Sequence, residues 1–192
     1  MGKLKLRIFF VALAAMLVAL LSQPVSVDYQ TYWKSASVVT TNVVTTGGIR
    51  LAIQEKYEKG KEFPAEGVYI IPGDVVSRQV SIKSNCDNPF YLRVKVVCGV
   101  NAQELSADDC FKLNINEADW EFHEGWYYYK GIVEPGQTTS DLFSQVEIVG
   151  AQVNSSYIGK ILTLTVNAQA VQSQNNPITD GKAYTAAGWP RE

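Results

Sequence analysis

From residue 162 to residue 170 the chain alternates without a break. Leu162, Leu164, Val166, Ala168 and Ala170 are apolar, and Thr163, Thr165, Asn167 and Gln169 between them are polar. A two-residue period is the mark of an extended strand with one face on a core. The same period runs through Ile49, Leu51 and Ile53 against Arg50, Ala52 and Gln54, and through Leu92, Val94, Val96 and Cys98 against Arg93, Lys95 and Val97. Shorter strands are expected at 76–83, 111–115, 120–123, 126–132 and 145–149. Pro72-Gly73 and Pro135-Gly136 read as tight turns, proline fixing φ and glycine accepting a positive φ. The sequences after these two turns echo each other and suggest similar strand lead-ins on two sheets. Helix signals are scarce: a turn after Ser106 and another within 151–157, both too short for a robust helix. The expected fold is therefore all-β, a single antiparallel β-sandwich of jelly-roll or Greek-key type with short helical turns.

The start of the chain reads differently. Lys3, Lys5 and Arg7 precede an uncharged apolar run over residues 8–21. As a helix that run spans about 21 Å, short of the roughly 30 Å of a bilayer core, so an export signal over residues 1–26 outranks a retained anchor. The membrane is then a partner only through this segment, if it is left uncleaved. Removing it leaves about 165 residues, one domain of ordinary size. Residues 27–48 are expected to be an extended N-terminal segment and 49–172 the sandwich. Residues 173–192, without periodicity and rich in Asn, Gly and Pro, are expected to be a flexible tail. Apolar residues make up 46% of the 192 and charged residues 19%, enough for a core and unlike a disordered chain. The net charge is -2 with basic residues scattered among acidic ones, so nucleic acid is not an expected partner.

Few residues are equipped for chemistry. The single histidine, His123, lies in Trp120-Glu121-Phe122-His123, which alternates like a strand. A nucleophile would have to draw on this one histidine as base, and no nucleophile elbow or phosphate-binding glycine loop is present. Asp108 with Asp109, and Glu117 with Asp119, lack the spacing of a calcium loop and read as solvated loop charges. No catalytic, metal or cofactor site is expected. Of the three cysteines, Cys98 and Cys110 are spaced to permit a disulfide contributing on the order of 3 kcal/mol if they face each other; the alternative is that Cys86, Cys98 and Cys110 are all small buried hydrophobes. Trp126, Tyr127, Tyr128 and Tyr129 alternate across a strand, so one pair is expected in the core while the other is a candidate exposed contact. Residues 37–46 set Val38, Val39, Val43 and Val44 among threonines. Such a β-branched segment is a candidate donor strand for a neighbouring subunit, the alternative being an ordinary edge strand of its own sandwich.

Several blocks resemble a known family. Asn42-Val43-Val44-Thr45-Thr46-Gly47-Gly48-Ile49 is similar to the approach to the first strand of exported TasA/camelysin-like proteins. Pro72-Gly73-Asp74-Val75-Val76, followed by Asn88-Pro89-Phe90-Tyr91-Leu92, resembles their central hairpin. Gly125-Trp126-Tyr127-Tyr128-Tyr129 with Pro135-Gly136-Gln137 resembles their third block, and Val166-Asn167-Ala168-Gln169-Ala170 their last strand. The blocks follow the family's order over residues 42–172. The resemblance implies a jelly-roll domain, export through a signal peptidase of the SipW type, and in some relatives assembly into matrix fibres. Asp28-Tyr29-Gln30-Thr31-Tyr32-Trp33 departs from the family's usual alanine-aromatic stretch after the leader. Camelysins are also described as metallopeptidases, but a zincin site needs two histidines one helical turn apart around a glutamate, and His123-Glu124 lacks the second. The expected function is a secreted, non-enzymatic structural protein of the cell surface or extracellular matrix, a biofilm fibre subunit assembling by strand donation. Its expected partners are other copies or another matrix or surface protein. The alternatives are a monomeric adhesion or glycan-binding module and, third, a metallopeptidase.

Overall fold

The structure is a computed structural model that describes residues 31–39, 49–65 and 67–190. The expected export signal over residues 1–26 lies outside the described residues. Ten strands are described: β1 (Thr31–Val39), β2 (Leu51–Lys56), β3 (Val68–Ile70), β4 (Val75–Ser84), β5 (Phe90–Val100), β6 (Phe111–Leu113), β7 (Trp120–His123), β8 (Trp126–Tyr129), β9 (Phe143–Ile148) and β10 (Ile161–Gln172). They form a six-stranded sheet in the order β3-β1-β10-β5-β8-β7 and a four-stranded sheet in the order β2-β4-β9-β6. The fold is an all-β sandwich. At every connection except the β7–β8 hairpin the chain passes from one sheet to the other. Sheet neighbours are therefore mostly distant in sequence, and no single hairpin can bury its apolar face alone.

The alternating pattern maps onto the core as sequence predicts. Leu162, Leu164, Val166, Ala168 and Ala170 of β10 are fully buried, and the polar residues between them are half-buried on the opposite face. Size alternates across the neighbouring strand: Ala168 pairs with Val94 and Ala170 with Leu92, so small side chains on β10 make room for branched ones on β5. Burying a Val or Leu contributes about 1.5–3 kcal/mol, which makes β10 the spine of the larger sheet. In the smaller sheet Val80, Ile82, Phe143, Val146 and Ile148 supply the facing layer.

Both Pro-Gly pairs make the expected turns. Asp74 N–H bonds to the Ile71 carbonyl at 3.1 Å and Gln137 N–H to the Glu134 carbonyl at 3.1 Å, with Gly73 and Gly136 at φ 94° and 73°. Their lead-ins serve the adjacent strands β4 and β9 of one sheet, not two sheets as the echo suggested. Of the two expected turns, the one within 151–157 is a single 3-10 turn at Ser155–Tyr157 and the one after Ser106 is a turn closed by the Cys110 N–H on the Ala107 carbonyl at 3.1 Å; further 3-10 turns lie at Glu58–Gly60 and Ala183–Thr185.

The pairings are antiparallel as expected, except that β1 runs parallel to β10, the one parallel pairing among the described residues. One expectation needs correction, the flexible tail. Residues 173–190 fold back over the outer face of the larger sheet, where Ala183, Ala186, Ile178, Tyr184 and Trp189 pack on Tyr91, Trp126, Tyr128 and Val171. Trp189 Nε1–H bonds the Ala183 carbonyl at 2.9 Å, and Gly188 N–H bonds Asn176 Oδ1 at 3.2 Å. A strap of this kind packs by individual side chains and needs no period, so pattern reading takes it for loose chain.

Candidate functional site

The β7–β8 hairpin gathers most of the aromatic residues that sequence singled out. Its two-residue turn, Glu124-Gly125, takes φ 47° and 82°, both left-handed, as a tight hairpin matching the twist of its strands requires. Register then fixes the faces: Trp120 opposes Tyr129, Phe122 opposes Tyr127, and His123 opposes Trp126. Tyr127 and Tyr129 are half-buried against the core, with Tyr129 edge-on to Trp120 at 5.2 Å and Tyr127 tilted against Phe122 at 5.0 Å.

Trp126 and Tyr128 point the other way, yet both are buried, so neither pair is the exposed contact that alternation left open. The strap covers them. Arg93 is sandwiched between the Trp126 and Trp189 rings at 4.1 and 4.8 Å. Its guanidinium donates to Gln169 Oε1 at 2.9 and 2.6 Å, to the Tyr128 hydroxyl at 3.2 Å and to the Pro190 carbonyl at 3.1 Å. Every one of these acceptors is neutral. A delocalised, weakly hydrated guanidinium tolerates such a site because ring faces and carbonyl dipoles stand in for a counter-ion. His123 belongs to the same clasp: its ring stacks on Tyr184 at 3.9 Å and 14°, while Lys182 of the strap pairs with Glu121 at 2.6 Å. The aromatic side chain that is open to solvent on this hairpin is Phe122, 62% exposed. Sequence gave no hint of it, since Phe122 shares the phase of the fully buried Trp120.

No group of three or more His, Cys, Asp or Glu side chains converges among the described residues. In the loop before β7, Lys130 Nζ takes the Glu117 and Ala118 carbonyls at 2.6 and 3.1 Å, and Asp119 accepts from Asn116 Nδ2 at 3.0 Å. Asp108 accepts from the Ser106 hydroxyl at 2.9 Å.

The three cysteines are free thiols, and the Cys98–Cys110 bridge is not formed. The Cys110 thiol is directed at the Ser106 carbonyl, 3.5 Å away. Cys86 donates to the Arg50 carbonyl at 3.1 Å. Burial, reinforced by Asp108 and the Cys110 thiol, pushes the Cys98 thiol up to about 11. At pH 8 such a group is roughly 0.1% thiolate, against roughly a quarter for an ordinary cysteine. Alkylation of Cys98 by iodoacetamide, followed by peptide mass spectrometry, should therefore run about a hundredfold slower than for a free cysteine. Labelling at the free rate would mean that the Cys98 thiol is open to solvent.

Of the candidate donor residues, Val38 and Val39 lie in β1, where they pair in register with Asn167 and Ala168. Val43 and Val44 lie outside the described residues. β1 is flanked by β10 over Tyr32 to Val39 and by β3 over Thr31 to Trp33 only, so among the described residues Val38 and Val39 pair with β10 alone.

A charged site that sequence reading passed over lies between the sheets. Arg78 is fully buried and meets Glu55 Oε2 through Nε at 3.1 Å and Nη2 at 2.8 Å, while Nη1 reaches the Leu164 carbonyl at 3.1 Å. Desolvation holds its pKa below the usual arginine value against the opposing pull of Glu55. The signal was present, because Arg78 falls on the apolar phase of Val76, Val80 and Ile82.

Comparison of the chain with protein families, with curated proteins and with solved structures finds no match. The fold defines a class, a two-sheet all-β sandwich with a clasped C-terminal strap.

Proposed function

We propose that the protein is a secreted structural component of the cell surface or extracellular matrix, a fibre subunit of the kind the TasA/camelysin resemblance implies, and that its subunits join by exchanging the N-terminal strand. In this reading the chain does no covalent chemistry, and its partner is a second copy or another matrix protein. The observation that carries it is the parallel pairing of β1 with β10. Parallel neighbours cannot be joined by a tight turn, so β1 owes its place to strand pairing, not to a hairpin connection. Without it, β10 would present an unpaired edge from Ile161 to Ala168, a template for another strand. The same segment from a neighbouring copy fills that slot with identical hydrogen bonds, the low-cost route to assembly known as swapping. The basic and apolar leader supports export.

Locking the strand in its own chain tests this. Ala36 and Thr165 are register partners, so Ala36→Cys with Thr165→Cys ties β1 to its own β10 when oxidised. The locked protein is expected to stay monomeric by light scattering and electron microscopy, and to form filaments after reduction. Filament growth by the oxidised protein at the wild-type rate would end the strand-exchange reading.

A further inference from the structure

We infer that Arg78 and Glu55 form a charged floor beneath the slot that β1 occupies, and that this floor is what lets β1 lift away, a release mechanism that rests on the strand-exchange reading. Backbone direction places the pair under the seam. The Ile161 carbonyl accepts from Asn101 N–H at 3.0 Å, and Ser173 N–H bonds the Pro89 carbonyl at 3.1 Å. The odd-numbered residues of β10 therefore turn their backbone groups toward β5. Leu164 is even-numbered, so its N–H and C=O face β1, where it stands in register with Ser35. Its carbonyl is the one that Arg78 Nη1 reaches at 3.1 Å. Glu55, which holds the guanidinium through Nε and Nη2, lies on β2, whose Cα atoms come within 8 Å of those of β1. The guanidinium thus spans from β2 to the line along which β1 joins β10.

Two consequences bear on release. Arg78 is fully buried, and desolvation works against its charge. Lifting β1 opens the seam, and the hydration that the ions regain offsets part of the cost of the broken strand pairing. An apolar floor in the same place would add its own exposure to that cost. The second consequence concerns the vacated slot. A carbonyl oxygen has two acceptor positions, and the one that Arg78 fills on Leu164 does not depend on β1. The edge of β10 therefore stays tied to β4 until a strand returns. An incoming β1 makes the same bonds as the departing one, so the floor governs how readily the strand is released and not which copy's strand is preferred.

Hydrogen exchange of the full exported chain, held dilute enough to be monomeric and read by peptide mass spectrometry, tests this. Residues 31–39 report on β1, and residues 90–100 on β5 of the same sheet. Arg78→Met with Glu55→Leu is expected to slow exchange over 31–39 by about a hundredfold relative to 90–100. The comparison within one molecule cancels any change in global stability. Arg78→Lys, which keeps the charge, should leave that ratio within about tenfold of the parent's. When isotopically distinct copies are mixed, the apolar variant should trade strands more slowly than the parent but to the same final extent. An unchanged ratio in the apolar variant would overturn the inference, as would an Arg78→Lys protein protected like the apolar one, and both results leave the exchange reading standing. Parent copies that never trade strands, although 31–39 opens with the expected dependence on charge, would instead end the exchange reading and leave the charged floor as the cause of the opening.

Discussion

Glu55→Ala should cost the protein about 3–5 kcal/mol of stability, because it removes a carboxylate that the buried Arg78 guanidinium meets through two of its nitrogens. Arg78 is fully buried and the Glu55 side chain is 10% exposed, so water cannot take over the lost contact. For a chain of this size the loss amounts to a fall in Tm on the order of 10 °C. The pair does more than neutralise itself, since the Arg78 bond to the Leu164 carbonyl ties β4 of one sheet to β10 of the other. Its origin predicts a rescue. Replacing both partners by apolar residues of similar volume, Arg78→Met with Glu55→Leu, removes the desolvation penalty together with the attraction, and is expected to restore most of the stability. The exposed pair Lys112–Glu147, 3.8 Å apart with side chains 74% and 46% open, supplies the contrast: breaking it should cost no more than about 1 kcal/mol and even less in high salt. Urea denaturation of the single and double variants decides the matter. A Glu55→Ala protein as stable as one lacking Glu147 would show that Arg78 is solvated after all.

Arg78 also marks the boundary of what the chain discloses before it is folded. Its phase with Val76, Val80 and Ile82 announces a buried charge, but its partner depends on the pairing of β2 with β4, in which Glu55 lies opposite Val80, and periodicity carries no register between strands. The same limit governs the aromatic hairpin. Alternation separates Trp126 and Tyr128 from Tyr127 and Tyr129 correctly. What covers the outer pair is an aperiodic strap some fifty residues later, so exposure could not be read from phase. β10 is legible from end to end because its burial follows from a period and nothing else. β1 is not, because its neighbour is the last strand of the sandwich and its direction relative to that strand leaves no trace in its own residues. The disulfide expectation failed for a related reason: spacing sets the loop length that a bridge would close, whereas the Cys110 thiol is oriented by the Ser106 carbonyl.

Ending the chain after Ser173 should destabilise the sandwich by roughly 4–6 kcal/mol and turn a soluble face into an adhesive one. The strap's own side chains are not the main loss. Its removal opens Tyr91, Trp126, Tyr128 and Val171, all now buried, and each large side chain returned to water costs about 1.5–3 kcal/mol before the surface relaxes. Arg93 loses the Pro190 carbonyl and the Trp189 ring together, leaving a cation held by the Trp126 ring, Gln169 and the Tyr128 hydroxyl. Trp189→Ala tests the clasp at a single point: it deletes the edge contact with Tyr128 at 5.5 Å, the ring over Arg93 and the bond to the Ala183 carbonyl. That substitution should produce about half the effect of the truncation, since Ala183 and Ala186 keep part of the cover. Both variants should bind a hydrophobic dye that the parent excludes and should aggregate with increasing concentration, the truncated chain more strongly. Should the truncated protein melt at the parent's temperature and exclude the dye, the strap would be lying on the sheet without stabilising it, and the burial of Trp126 and Tyr128 would need another cause.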